Sequence, residues 1–309
     1  MTVLVTGGTG YLGSLLIREV PTNPTFADET IRILDNFRRP CYHALWDLPS
    51  YANYEFASVD IRNKEEVAKA VEDVDTVFHL AAITNASETF EIPEKTRAVN
   101  YEGALNVYEA ARSAGVKQFV NVSTCSVYGT TDERIDEKFE CEPESPYGKA
   151  KLDAEQVMLD QYDGTMGLTS LRLGTVYGWT TGMRFDTVVD KFALLAATGR
   201  PLTVYQGAEN QKRPYLHVRD AVRSMLFAAD VLGDGEVYNV VGQNSRVKDV
   251  VATIERSFPD VAVEYEKAEH LNQLSYIVSD SKIRNKGFKA CHTLDHGVAE
   301  LEERFRGLL

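Results

Sequence analysis

The chain is short of cysteine, of basic charge and of long apolar runs, and each shortage excludes something. Four cysteines occur in 309 residues, Cys41, Cys125, Cys141 and Cys291, with no Cys-x-x-Cys pair and no metal-like clustering. A disulfide scaffold is thereby excluded, and free thiols in a reducing, cytoplasmic setting are expected. No run approaches the roughly 20 apolar residues of a membrane span, and no signal peptide is expected from the opening residues. Lys and Arg number 33 against 46 Asp and Glu, a net charge of −13. That disfavours nucleic acid and anionic membrane as partners. An anionic substrate would have to be drawn in by local arginines and helix N-termini against the overall field. His292 and His296 lie four apart with no third ligand in view, so they read as one face of a surface helix, and no metal is expected.

What is present is ordinary for a globular protein: 44% hydrophobic and 26% charged residues. Short β-branched runs alternate with helical patterns. The runs fall at 2–6, 30–35, 54–60, 75–82, 117–124 and 168–173, and the helices near 11–19, 63–72, 95–114 and 147–162. The alternation predicts an α/β fold, a doubly wound parallel sheet with right-handed crossovers. After 173 the rhythm breaks into a glycine-rich loop, "GTVYGWTTGMR", then a helix over 185–199, a strand over 201–207, a helix over 217–230 and a strand over 236–242. The expected division is a dinucleotide-binding domain over 1–173, with 214–243 returning to it, and a smaller C-terminal substrate lobe from 174–213 and 244–309.

"VLVTGGTGYLGSLLI" reads as strand, tight turn and helix. Gly7, Gly10 and Gly13 let the backbone turn sharply and let a pyrophosphate approach a helix N-terminus. The second strand ends in Asp35, about 20 residues on, where a carboxylate binds adenosine ribose hydroxyls. A carboxylate there repels a 2′-phosphate and favours NAD over NADP. Arg38 and Arg39 follow closely and could accommodate a phosphate, contact substrate, or lie in a solvated loop.

"SPYGKAK" places Tyr147 and Lys151 four apart at a helix start, on one face. An ammonium beside a phenol lowers its pKa from about 10 and makes Tyr147 a candidate general base. "STCSVYG" offers Ser123, Thr124, Cys125 and Ser126 nearby. His79, at a strand end, could activate Cys125 as a nucleophile; the plainer reading packs both.

With "LDNF", "VDIRN", "HLAA", "AVNYEG", "LRLGTVYG" and "RPYLHVRDA" in order along nearly the whole chain, the sequence resembles the extended short-chain dehydrogenase/reductases, in their nucleotide-sugar epimerase/dehydratase branch. The resemblance implies NAD as cofactor and a homodimer built on helices 95–114 and 147–162. It implies Tyr11 and Leu12 at the pyrophosphate turn, and Asn36 beside Asp35. Asp60 and Ile61 match the adenine-contacting pair, and Leu80, Ala81 and Ala82 pass under the cofactor. Asn100 braces the site, and Gly174 completes the cofactor contacts. Thr124, with Ser123 as the neighbouring alternative, holds the reacting oxygen. Lys151 tunes Tyr147. Thr84, Thr124, Thr175, Arg184 and Arg213 face the substrate, the arginines as diphosphate grips.

Three departures bear on the reaction. Cys125 and Ser126 stand where sugar 4,6-dehydratases carry an Asp-Glu pair, so the acid that elimination needs is missing. Thr175 stands where many sugar-nucleotide epimerases have Asn, and "WTTG" replaces the common proline-glycine. The expectation is an NAD-dependent epimerase acting at C4 of a nucleotide sugar. The alternatives are a dehydrogenase or reductase with net turnover on a small alcohol or keto sugar, and a non-catalytic NAD-binding scaffold or sensor.

Overall fold

The computed structural model describes residues 1–131, 133–267 and 275–308. Seven parallel strands form the main sheet. In spatial order they are Asp234–Val240, Gly167–Leu173, Gln118–Thr124, Thr76–His79, Thr2–Thr6, Thr30–Asp35 and Asn53–Ser58. The runs are apolar because helices cover both faces, so nearly every position of Thr2–Thr6 and Thr76–His79 is buried. Asn53–Ser58 is the edge and looks different: Glu55 is exposed there and pairs with Arg32 at 2.8 Å. Helices Tyr11–Glu19 and Val218–Val231 pack on one face, and Lys64–Val71, Ala104–Ala114 and Pro146–Asp160 on the other.

The first strand pairs with Thr30–Asp35 on one side and Thr76–His79 on the other. Strand order therefore reverses at Thr2–Thr6, which opens a crevice beyond the carboxyl ends of these strands. The glycine turn and the 80–85 segment both leave their strands into that crevice.

After 173 the expected helices at 185–199 and 217–230 and strands at 201–207 and 236–242 are present, and the departure lies in the small sheets. Asp234–Val240 runs parallel to Gly167–Leu173 and so extends the main sheet. Thr175–Tyr177, Lys212–His217 and Gln243–Arg246 make a separate three-stranded sheet, and Leu202–Tyr205 pairs with Val263–Glu266. Helices Val188–Ala197, Val247–Ser257 and Leu294–Phe305 enclose their own core around Tyr177 and Tyr215. The expected 95–114 helix is interrupted: Pro93–Arg97 is α-helical, Ala98–Gly103 is a π-helical turn, and Ala104–Ala114 resumes. His292 lies before the Leu294–Phe305 helix and His296 in its first turn, so the two do not share a helix face. A third histidine, His217, comes from a distant strand end and stacks on His292 with ring centroids 4.7 Å apart. No described helix is long and apolar enough to cross a membrane.

Candidate active site

The glycine turn is shaped by contacts that tolerate no side chain. Gly7 has φ +70°, and a Cβ there would stand 2.8 Å from the Ala81 nitrogen. A Cβ on Gly13 would stand 2.2 Å from the Gly7 carbonyl oxygen. The Tyr11–Glu19 helix begins at Gly10 with no side-chain cap, which leaves its first-turn N–H groups for an anion. Asp35 organises the turn from the neighbouring strand: Oδ2 accepts from the Thr9 N–H at 3.0 Å and Oδ1 from the Phe37 N–H at 2.9 Å. Asn36 donates to Asp60 Oδ2 at 3.2 Å, so Asp35, Asn36 and Asp60 gather at one end of the crevice. Arg62 also binds Asp60 and holds its carboxyl down at about 2.

Several residues expected at the cofactor spend their side chains on protein groups. The Tyr11 phenol is buried and donates to the Gly178 carbonyl at 2.6 Å and to Asp190 at 3.0 Å. Ile61 is buried under the π-helical turn. Arg38 pairs with Glu88, and Arg39 donates to the Met183 carbonyl at 3.0 Å, so both arginines bind protein groups. Leu12 follows in the helix, while Leu80 and Ala81 donate their N–H groups to Thr6 Oγ1 at 3.2 Å. Ala82 continues that segment half-buried, and Gly174 sits against the Pro214 carbonyl, 2.9 Å from where a Cβ would be. Asn100 braces the next residue along: its Oδ1 accepts from the Ile83 N–H at 2.7 Å and its Nδ2 donates to the Ile83 carbonyl at 2.8 Å.

Ser145 caps the next helix by accepting from the Gly148 N–H at 3.1 Å, and Pro146 takes the first helical position. This fixes Tyr147 and Lys151 at the helix start. Thr124 ends its strand; its Oγ1 bonds the Ser126 hydroxyl at 3.2 Å and accepts the Ser126 N–H at 3.1 Å, and it lies close enough to the Tyr147 phenol to favour its ionised form. Of the two neighbours open in the sequence, Thr124 therefore meets Tyr147. Ser123, one position earlier on the strand, is buried.

The electrostatics correct one expectation. The Tyr147 phenol is not lowered: burial pushes it up, and the Thr124 hydrogen bond and the Arg184 charge pull against that. Lys151 is itself only 2% exposed, and burial lowers its ammonium to about 8, against the pull of Glu155. Cys125 is equally plain. Its thiol is buried and pushed well up, and it donates to the Arg172 carbonyl at 3.3 Å. His79 is held down at about 3 by burial and bonds Thr6 Oγ1 at 2.9 Å through Nδ1. A thiol and an imidazole so placed are not a nucleophile and its base.

Arg184 reaches into the same region. It donates to Thr84 Oγ1 at 2.8 Å and forks onto Asp186 at 2.5 and 2.9 Å. Thr175 begins the small sheet opposite Tyr215, and Arg213 lies on the adjacent strand opposite Ser245. Tyr276, absent from the sequence reading, belongs here as well. It is buried and lies within electrostatic reach of Ser126, Tyr147 and Arg213. No periodic pattern in the sequence marks it.

A second missed feature stiffens the site from below. Arg172 forks onto Glu155 at 2.5 and 2.9 Å, Ser170 donates to Glu155 at 2.7 Å, and Arg172 also reaches the Tyr128 hydroxyl at 2.9 Å. Glu155 is one helical turn from Lys151, so this buried pair ties the helix of Tyr147 and Lys151 to the sheet.

A doubly wound sheet with a glycine turn at its switch point and a Thr-Tyr-Lys group in the crevice defines a dinucleotide-dependent enzyme of the short-chain dehydrogenase type. Residues 3–241 match the NAD dependent epimerase/dehydratase family; the chain belongs to that family, and its cofactor is NAD. Over 97% of its length it is 28% identical to a trifunctional UDP-glucose 4,6-dehydratase/UDP-4-keto-6-deoxy-D-glucose 3,5-epimerase/UDP-4-keto-L-rhamnose-reductase of Arabidopsis thaliana, and it spans 46% of that protein. It superposes on the UDP-glucose 4-epimerase of Thermus thermophilus in complex with NAD, with TM-score 0.85, 28% identity and complete coverage of both chains. A UDP-glucose 4-epimerase of Thermotoga maritima with UDP-glucose gives TM-score 0.88 at 26% identity, with 99% of each chain covered.

Proposed function

We propose that this protein epimerises a nucleotide sugar at C4 through a transient 4-keto sugar. The 1–173 region with 214–243 carries NAD, and the rest of the chain holds most of the substrate. One observation carries the reading: the Thr124 hydroxyl acts on the Tyr147 phenol, one helical turn from Lys151, while position 125 is a buried thiol pushed well up and position 126 a hydroxyl. Epimerisation needs one proton shuttled at one oxygen and no acid for elimination; dehydration needs that acid as well.

The nicotinamide supplies the acceptor and donor of the C4 hydride. Tyr147 takes the C4 hydroxyl proton and returns it, and Thr124 holds the oxygen between the two events. Lys151 places its ammonium beside the cofactor ribose and the phenol. Asp35, with Asn36, takes the adenosine ribose hydroxyls. Gly7, Gly10, Gly13 and the backbone of Tyr11 and Leu12 receive the diphosphate. Asp60 and Ile61 flank the adenine, and Leu80, Ala81, Ala82 and Gly174 line the cofactor's path with small or apolar groups. Asn100 keeps Thr84 in place through Ile83. Arg184 and Arg213 neutralise the substrate diphosphate, and Thr175 lies at the sugar. The keto sugar must turn over before hydride returns, which asks for a roomy sugar pocket, and Thr175 is smaller than the Asn common at its position.

A product assay with UDP-, GDP- and dTDP-sugars and catalytic NAD tests this. Conversion of one sugar to its 4-epimer without NADH accumulation is the expected result. Stoichiometric NADH with an alcohol substrate identifies a net oxidoreductase, and a 4-keto-6-deoxy product identifies a dehydratase. Tyr147→Phe should keep NAD binding and lose at least about a hundredfold in turnover. A scaffold or sensor would lose nothing on that change.

A further inference from the structure

Away from the crevice, the start of the Val218–Val231 helix meets the segment that leads into the C-terminal helix. Asp220 is completely buried there. Its Oδ2 accepts the backbone N–H groups of Cys291 at 3.0 Å and His292 at 2.8 Å, which fixes that dipeptide against the helix. Its Oδ1 lies 3.0 Å from His292 Nδ1 and 3.5 Å from Cys291 Sγ, and those two atoms are 3.5 Å apart.

A carboxylate oxygen, an imidazole nitrogen and a sulfur thus form a nearly equilateral triangle. Bonds of about 2.0–2.3 Å at tetrahedral angles give ligand–ligand edges of about 3.3–3.6 Å around zinc, so the triangle is one face of such a site. The supporting groups are in place. Asp220 is oriented by two N–H donors on its other oxygen, and the His292 ring is held by stacking on His217. His217 is itself committed, with Nδ1 accepting from the Arg219 N–H at 3.3 Å. Cys291 is exposed, which leaves an entry path and an outward position for water.

The triangle already attracts a cation. Arg223 Nη1 lies 2.5 Å from Asp220 Oδ1 and 2.9 Å from Cys291 Sγ. Its side chain is about half exposed, 47%, and can swing into solvent.

We propose that Asp220, Cys291 and His292 bind a zinc-class divalent ion with water as fourth ligand, and that the Arg223 guanidinium holds the place in the metal-free chain. Binding replaces the Cys291 S–H bond by a sulfur–metal bond and releases one proton to solvent. The mixed sulfur, nitrogen and oxygen set disfavours magnesium and calcium, which prefer oxygen alone. The ion would fasten the C-terminal helix to the start of the Val218–Val231 helix.

The test uses untagged, chelator-treated full-length protein titrated with Co²⁺ and then Zn²⁺. The expected result is one equivalent of Co²⁺ with a sulfur-to-metal charge-transfer band and intense tetrahedral visible bands, all removed by Zn²⁺. Cys291→Ser, at an exposed position, should fold and lose the charge-transfer band. Arg223→Gln should tighten binding by about five- to tenfold, because a competing positive charge is gone. No charge-transfer band in the wild-type protein, or a band that survives Cys291→Ser, overturns the site. Unchanged affinity in Arg223→Gln overturns the place-holding role.

Discussion

A lysine buried beside a buried phenol is costly in the absence of a ligand, and the cost has a pH signature. Lys151 titrates near 8 in the folded chain against about 10.4 when unfolded. Below pH 8 both states are protonated and the full penalty of burying the ammonium applies. Between about 8 and 10.4 the unfolded chain holds the proton that the folded chain has shed, so stability rises with pH. Above that window the penalty is gone. Lys151→Met should therefore stabilise the cofactor-free protein at pH 7 by about 1–3 kcal/mol, a gain that disappears by about pH 10.5, while activity is lost. Thermal melts of both proteins across pH 6–10.5 check this, and a Lys151→Met protein less stable than wild type at pH 7 would reject it. Spacing made it legible that Tyr147 and Lys151 share one face of a helix start, while Thr124 was singled out by the family resemblance. Their ionisation was not, because burial is set by distant residues. Tyr276 was illegible altogether: only the packing of its segment over Ser126 brings a phenol to the site.

At the scale of elements, the glycines separate two kinds of requirement. Gly115 ends the Ala104–Ala114 helix at φ +75° with nothing within 4 Å of a would-be Cβ. Ala there meets only the left-handed backbone, a cost of about 1 kcal/mol. Gly13 is helical, yet a Cβ would stand 2.2 Å from the Gly7 carbonyl oxygen. Gly13→Ala must push the Tyr11–Glu19 helix off the turn. It should weaken NAD binding at least about tenfold, whereas Gly115→Ala should leave NAD affinity unchanged and lower the melting point by a few degrees. Calorimetric NAD titration of both variants decides this, and equal affinities would mean that the turn adapts. The strands and helices through residue 173 were legible because a parallel sheet buried on both faces writes itself as apolar runs between helical patterns. Of the small sheets after 173 only Leu202–Tyr205 was legible. Gln243–Arg246 has few apolar side chains, and Thr175–Tyr177 is a strand only because Lys212–His217 lies beside it. The π-helical turn at Ala98–Gly103 carries no periodic mark either, although it is what delivers Asn100 to Ile83.

For the whole molecule, the proposed function sets a net charge of −13 against a nucleotide sugar that is itself anionic. The repulsion acts at long range, over a Debye length of about 30 Å at 0.01 M salt and about 10 Å at 0.1 M. On the same proposal the opposing attraction from Arg184 and Arg213 is local and is screened less because those side chains are partly buried. Raising salt from about 0.01 to 0.1 M should therefore remove repulsion before it weakens the grip. The expected result is a kcat/KM for the nucleotide sugar that rises about two- to fivefold over that range, carried by association, and then falls as salt begins to screen the arginine contacts. Arg184→Gln and Arg213→Gln should each raise KM and flatten the falling limb without changing the rise, because the rise belongs to the body of the protein. A kcat/KM that falls monotonically from the lowest salt would show instead that the arginines' field extends past the crevice and overrides the acidic surface at every distance.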